Sequence, residues 1–178
     1  MFEISYRITG SIEELQTLTE NAFDEGGDVI GFFNIKVNGN EYGDYHNLLM
    51  NGEFGFEYIS YWFLNLAQIY DELNRSGYAA INVLNYINWI EFKRAQDTVT
   101  ISIIRAEKPD GTPIELRLDP FENFEYGEWH NEVVKLSEIR NELAKKASLY
   151  LGELHKINAK LLDNRHIAEL GSLVSRLN

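Results

Sequence analysis

No cysteine occurs in this 178-residue chain. Disulfides, thiolate metal sites and cysteine nucleophiles are excluded together. Proline is scarce, and no proline-rich linker, low-complexity tract or internal repeat divides the chain. No uninterrupted apolar run approaches the ~20 residues that a membrane-spanning helix needs. The opening MFEISYRITG lacks a basic segment followed by an apolar run. It does not read as a signal peptide, and the expectation is a cytoplasmic protein.

Catalytic and cofactor signatures are missing as well. There is no GxSxG nucleophile elbow, no GxxxxGK phosphate loop and no HExxH pair. Gly26-Gly27 and the stretch from Gly52 to Gly55 do not follow the strand-to-helix GxGxxG pattern. His46, His130, His155 and His166 are scattered without the spacing of metal ligands, although His46 and His130 each sit beside acids, where one could act as a general base. The expectation is therefore no cofactor, no metal and, on balance, no enzyme.

Positive charge is also in short supply. The chain has 16 Lys and Arg against 28 Asp and Glu, a net charge of −12. Residues 1–74 contain only Arg7 and Lys36 against 13 acids, whereas residues 75–178 carry 14 bases and 15 acids. Such a field repels nucleic acid and anionic membrane and steers basic partners. It also suits a surface kept acidic for solubility alone.

What is abundant is apolar and aromatic mass: 44% hydrophobic residues, with ten Phe, ten Tyr and three Trp. That is enough for a sizeable core in one domain. The densest stretch is Phe54 to Leu73, in which Phe56, Ile59, Trp62, Phe63, Leu66, Ile69, Tyr70 and Leu73 recur at steps of three and four. This spacing predicts a central core helix, stopped after Asn74 with Gly77 in a left-handed conformation.

Around it, Phe2, Ile4, Tyr6 and Ile8 alternate as a half-buried strand. Ser11 and Glu14 form a capping box for a helix running to about Phe23. Val29 to Val37 reads as a strand, Asn38-Gly39 as a hairpin turn and Glu41 to Tyr45 as the returning strand. Tyr78–Leu84, Ile87–Phe92, Asp97–Ala106 and Ile114–Leu118 follow with period two and short connections, which predicts an antiparallel meander. A short strand near His130–Leu136 leads into a long helix capped by Ser137, with Ile139, Leu143, Ala147, Tyr150, Leu154 and Ile157 as its stripe. Asn164 caps a last helix lined by Ile167, Leu170, Val174 and Leu177. The result is one α+β domain over residues 1–178: an antiparallel sheet against the aromatic-rich helix, with 137–178 as a C-terminal helical part.

Two acidic groups are candidate sites. In the loop DPFENFEYGEW, Asp119, Glu122, Glu125 and Glu128 fall three residues apart, with Phe121, Phe124, Tyr126 and Trp129 between them. Carboxylates would pair with Lys or Arg of a partner while Phe124 and Trp129 supply a desolvated anchor. The alternative is a solvated loop whose aromatics tuck into the core. Asp24, Glu25 and Asp28, with Glu41 and Asp44, form a second group across the hairpin. It lacks calcium-loop spacing and also reads as an ordinary solvated turn. Glu53 and Glu57 are a carboxylate pair of the kind a glycosidase uses, or the solvated edge of the core helix.

The strand–NG–strand unit FNIKVNGNEYG followed by FEYISYWFLNLAQIYDEL resembles small acidic immunity proteins of bacterial polymorphic toxin and contact-dependent inhibition systems. The strand leading into a long helix and a final short one is similar in general plan. The resemblance implies a cytoplasmic, non-catalytic protein that binds a cognate toxin and occludes its site. Many such effectors are basic, which an acidic inhibitor would both steer to and block. The alternatives are a small carboxylate-dependent hydrolase, or a scaffold assembling through Leu161, Leu162, Leu170, Leu173 and Leu177.

Overall fold

A computed structural model describes residues 1–23, 27–48, 57–83, 87–107 and 114–177. The first sheet begins where the sequence alternates. Strand β1 (Phe2–Ile8) pairs antiparallel with β2 (Ile30–Val37) along its whole length, from Phe2 opposite Val37 to Ile8 opposite Gly31. The other edge of β2 is shared by β3 (Asn40–Asp44) and β4 (Glu57–Tyr58). The Asn38-Gly39 hairpin forms as expected, with both residues at positive φ, 52° and 100°.

Helix α1 (Ile12–Thr17) opens on Ser11, whose Oγ accepts the Glu14 amide. It is shorter than the apolar spacing suggested, because the chain turns extended at Leu18. Side chains from far along the sequence replace the helical hydrogen bonds: Asn158 donates to the Leu15 and Leu18 carbonyls, and Asn164 to that of Glu20.

The central helix α2 spans Ile59–Arg75. It starts later than the periodicity implied, since Glu57 and Tyr58 are spent pairing with Gly31 and Ile30; residues 54–56 lie outside the described set. Gly77 adopts the left-handed conformation, φ 81°, that ends the helix. Packed against strands of both sheets and the two later helices, α2 buries even Ser60, Asn65 and Glu72. Phe33 stacks on Trp62 at 4.9 Å and meets Phe63 edge-on at 5.1 Å.

The second sheet is also antiparallel. It contains β5 (Tyr78–Val83), β6 (Asn88–Ala95), β7 (Thr98–Arg105), β8 (Ile114–Arg117), β9 (Glu125–Tyr126) and β10 (Glu132–Lys135), in the order β10-β7-β6-β5-β8 with β9 beside β10 on the edge of β7. The meander holds for β5 to β7. Strand β8 departs from it, crossing to pair with β5, which frees the edge of β7 for β9 and β10.

Helix α3 (Leu136–Ile157) is capped by Lys135 rather than Ser137: the Glu138 carboxylate accepts the Lys135 amide at 2.8 Å. A 3-10 turn (Ala159–Asp163) leads to α4 (Arg165–Leu177), where the Asn164 Oδ1 accepts the His166 amide. The predicted stripes of both helices point inward, with Ile157 alone half-buried. One buried cluster joins Ile4 and Ile35, α2, Phe92 and Ile101, α3 and α4. Leu161, Leu170, Leu173 and Leu177 belong to it and are buried, and Leu162 packs against it half-buried. No helix among the described residues is long and apolar enough to cross a membrane.

Candidate functional site

Alternation in β5, β6 and β7 sends Ile81, Ile90, Phe92 and Ile103 toward α2 and the main core. It sends Tyr78, Ala80, Trp89 and Ile104 to the opposite face of the sheet. That outer face must be covered, and the loop between β8 and β10 covers it. Phe121 and Phe124 pack on this smaller cluster, Phe121 meeting Trp89 at 4.9 Å. Each ring also receives a cation: the Arg117 guanidinium lies 4.2 Å from the centre of Phe121, and the Lys93 ammonium 5.4 Å from that of Phe124. Lys93 is itself held by Glu91, a buried carboxylate that also accepts the Tyr78 hydroxyl. Burial and this carboxylate push the Tyr78 hydroxyl well above the usual tyrosine range.

The last residues of the loop turn back between the sheets. Gly127 and Trp129 exchange backbone hydrogen bonds with Ile103, and a Cβ on Gly127 would come within 2.5 Å of the Ile103 side chain. Trp129 is not a surface anchor. It is 8% exposed, belongs to the main core and donates its indole N–H to the Glu41 carbonyl at 3.1 Å. That bond brings together the two acidic groups, 88 residues apart in sequence. Glu41, Arg105, Glu128 and Trp129 line a cavity of about 270 Å³ between hairpin and loop. Arg105 also borders an open concavity of about 990 Å³ with Arg117, Phe121, Glu122, Phe124 and Glu125.

Asp119, Glu122, Glu125 and Glu128 are all exposed, as are Glu41 and Asp44. Among the described residues, Glu122, Glu125 and Glu128 make no ion pair, whereas Glu41 is bridged by Lys36 at 3.1 Å. The loop is nevertheless less purely negative than its own sequence implies, because Lys93 and Arg117 reach into it. The exposed ring is Tyr126, at 46%, stacked on His130 at 4.5 Å and touching Phe124 edge-on at 5.3 Å.

Asp28 does not join this face. It is buried, and its carboxylate accepts the Val29 and Tyr61 amides at 2.6 and 3.0 Å, so it caps α2 from outside the helix. Burial raises its pKa from 3.8 to about 6, against the hydrogen bonds from Ser60 and the backbone that lower it. Ser60 in turn shares a 2.6 Å hydrogen bond with the fully buried Tyr150. Asp24 and Glu25 lie outside the described residues.

Of the carboxylate pair Glu53 and Glu57, the first lies outside the described residues. Glu57 is half-buried and accepts the Trp62 indole N–H at 2.7 Å; burial first, and the nearby Asp44 charge, raise its pKa. No group of three or more His, Asp or Glu able to hold a metal ion occurs among the described residues. The sequence points to Phe124 and Trp129 as anchors and to Asp28 as a solvated acid, whereas Tyr126 is the exposed ring of the loop and Asp28 is buried. The loop pattern does not tell which of its four rings stays exposed, and an acid in a glycine-rich turn gives no sign of burial.

No family model matches the chain, and no match is found among the curated proteins or the solved structures.

Proposed function

We propose that the chain is a non-catalytic protein-binding domain that docks a basic partner, in the manner of an immunity protein occluding the site of a cognate bacterial toxin. The observation that carries this reading is the junction of loop and hairpin. There Glu41, Glu122, Glu125 and Glu128 are exposed, Glu41 and Glu128 line one cavity, and the Trp129–Glu41 hydrogen bond ties the two segments together. Rim carboxylates of this kind mainly set association rate.

The test uses the product of a toxin-like reading frame adjacent to this gene. A complex at micromolar concentration is expected, its association slowed by salt and by the combined reversal of Glu122, Glu125 and Glu128 to Lys. No complex, or unchanged association by the triple variant at low salt, removes the loop as the docking site.

A second reading, a carboxylate-dependent hydrolase, is favoured by one observation: Glu57, half-buried with a raised pKa, lies near the exposed Asp44, an arrangement that separates an acid from a base. Against it, Glu57 is already bonded to Trp62, and neither carboxylate lines the two cavities described above. Hydrolysis of a glycoside panel that disappears in Glu57→Gln would support it.

A further inference from the structure

Strand β1 is the outer strand of the first sheet, and its edge away from β2 has no strand partner among the described residues. The ladder to β2 fixes which backbone groups face that edge. The Met1 carbonyl accepts the Asn38 amide, and the Thr9 amide donates to the Ile30 carbonyl, so the odd-numbered residues between them bond to β2. The amides and carbonyls of Phe2, Ile4, Tyr6 and Ile8 therefore point the other way. At Ile4 this edge is covered by α3: the Glu142 carboxylate accepts the Ile4 amide at 3.1 Å. Further along, the amides of Tyr6 and Ile8 have no hydrogen-bond partner among the described residues.

Beside them lies a concavity of about 400 Å³. Tyr6 and Ile8 line it from one face of β1 and Arg7 from the other, which places it along the edge of the strand. Ile12 of α1, 45% exposed, and Glu153, Lys156 and Ile157 of α3 complete the lining. Two of its three charges are engaged within the chain. The Arg7 guanidinium donates to the His46 and Leu48 carbonyls, and Glu153 is turned to the Tyr6 hydroxyl. Lys156 is exposed and makes no ion pair among the described residues. Backbone groups two residues apart on one sheet edge are matched by a second extended backbone, whose side chains then fall alternately on either side.

We propose that residues 6–8 of β1 take up an extended segment of a partner protein, which adds a strand to the first sheet, sets apolar side chains against Ile8, Ile12 and Ile157, and places an acidic residue at Lys156. This site is built from β1, α1 and α3, so it stands or falls independently of the acidic loop and hairpin.

The probe is the blocked peptide acetyl-Val-Thr-Val-Asp-Val-amide, added in excess to the full chain at low salt. Amide hydrogen exchange and amide NMR shifts are read residue by residue. The Tyr6 and Ile8 amides should exchange about tenfold more slowly with the peptide than without it. A version with N-methylated backbone amides should give no such protection. A version with Lys in place of Asp should bind about threefold more weakly, and Lys156→Glu should reverse that order. Ile8→Pro removes an outward N–H without breaking a bond to β2, and it should abolish the protection at Tyr6. The N-methylated peptide on the unaltered chain supplies the same answer should the proline variant not fold.

If the two amides are not protected by the peptide, or if the N-methylated version binds equally well, strand addition is overturned. If they become protected without peptide as the protein concentration rises, a second copy occupies the edge and the partner assignment is overturned. Equal binding of the Asp and Lys versions overturns the role of Lys156.

Discussion

Helix α2 and the loop from Asp119 to Trp129 are the two aromatic-rich segments of this molecule, and they use their rings in opposite ways. In α2 the 3.6-residue period assigns every large side chain to a direction, and Trp62, Phe63, Leu66 and Ile69 are all buried in one core. In the loop no period operates, and each ring finds its own partner. Trp129 enters the main core, Phe121 and Phe124 close the outer face of the second sheet, and Tyr126 stays in water. Aromatic content therefore says nothing about exposure until the backbone that carries it is known. The structure also divides labour within the loop: the rings fix its position, while Glu122, Glu125 and Glu128 are left outside that packing.

The sharpest way to break the comparison is to truncate one ring in each segment. Trp62→Ala removes a stacked, fully buried indole and should cost about 3–5 kcal/mol of unfolding free energy, measured by urea denaturation. Trp129→Ala should cost about 3 kcal/mol for the same reason, in the absence of any partner. A loss below about 1 kcal/mol would show that Trp129 is held only loosely and return it to the list of surface anchors.

Asp28, the carboxylate at the start of α2, sharpens the comparison through pH. Its folded-state pKa, about 6, lies above its ordinary 3.8. The stability it contributes is therefore complete below pH 3.8 and is lost as pH rises through 6. A displacement of that size corresponds to about 3 kcal/mol. The difference in unfolding free energy between the native chain and Asp28→Asn should accordingly change between pH 4 and pH 7, in the sense that the native aspartate fares better at the acid end. A pH-independent difference would show that Asp28 is as well solvated as an unfolded one.

A smaller effect is expected at Gly127, where an added methyl would meet the Ile103 side chain at 2.5 Å and its carbonyl at 3.2 Å. Gly127→Ala should destabilise by about 1–3 kcal/mol. It should also lengthen the Trp129–Glu41 contact, visible as a changed tryptophan fluorescence. The smallest effect belongs to the triple reversal of Glu122, Glu125 and Glu128, each exposed and without an ion pair among the described residues. Thermal unfolding should move by an amount equivalent to less than about 1 kcal/mol per site. A larger loss would mean that these carboxylates hold the loop against Arg105, Arg117 and Lys93.

Much of the scaffold was legible because short-range rules decide it. The alternation in β1 and β2, the Asn38-Gly39 turn, the stripe of α3 from Ile139 to Leu154 and that of α4 from Ile167 to Leu177 are local patterns, and the structure follows them. The early end of α1, the late start of α2 and the crossing of β8 were not legible. Each depends on a partner distant in sequence: Asn158 on the Leu15 and Leu18 carbonyls, Gly31 and Ile30 on Glu57 and Tyr58, and β5 on β8. The candidate site was legible as a list of acids in the loop and on the hairpin, but not as a surface. Local charge counting missed Lys93 and Arg117 over the loop's own rings, and solvated-turn reasoning missed the burial of Asp28.

By itself, then, the sequence determined the class of fold, the faces of its long helices and the acidity of the loop and hairpin, since periodicity, turn chemistry and composition act over a few residues. Only the tertiary structure decided that Trp129 is core and Tyr126 is surface, that Glu41 stands beside Glu128, and that Asp28 lies buried at the head of α2. Those outcomes turn on which distant groups arrive to satisfy a hydrogen bond or cover an apolar face, and no local pattern encodes that arrival.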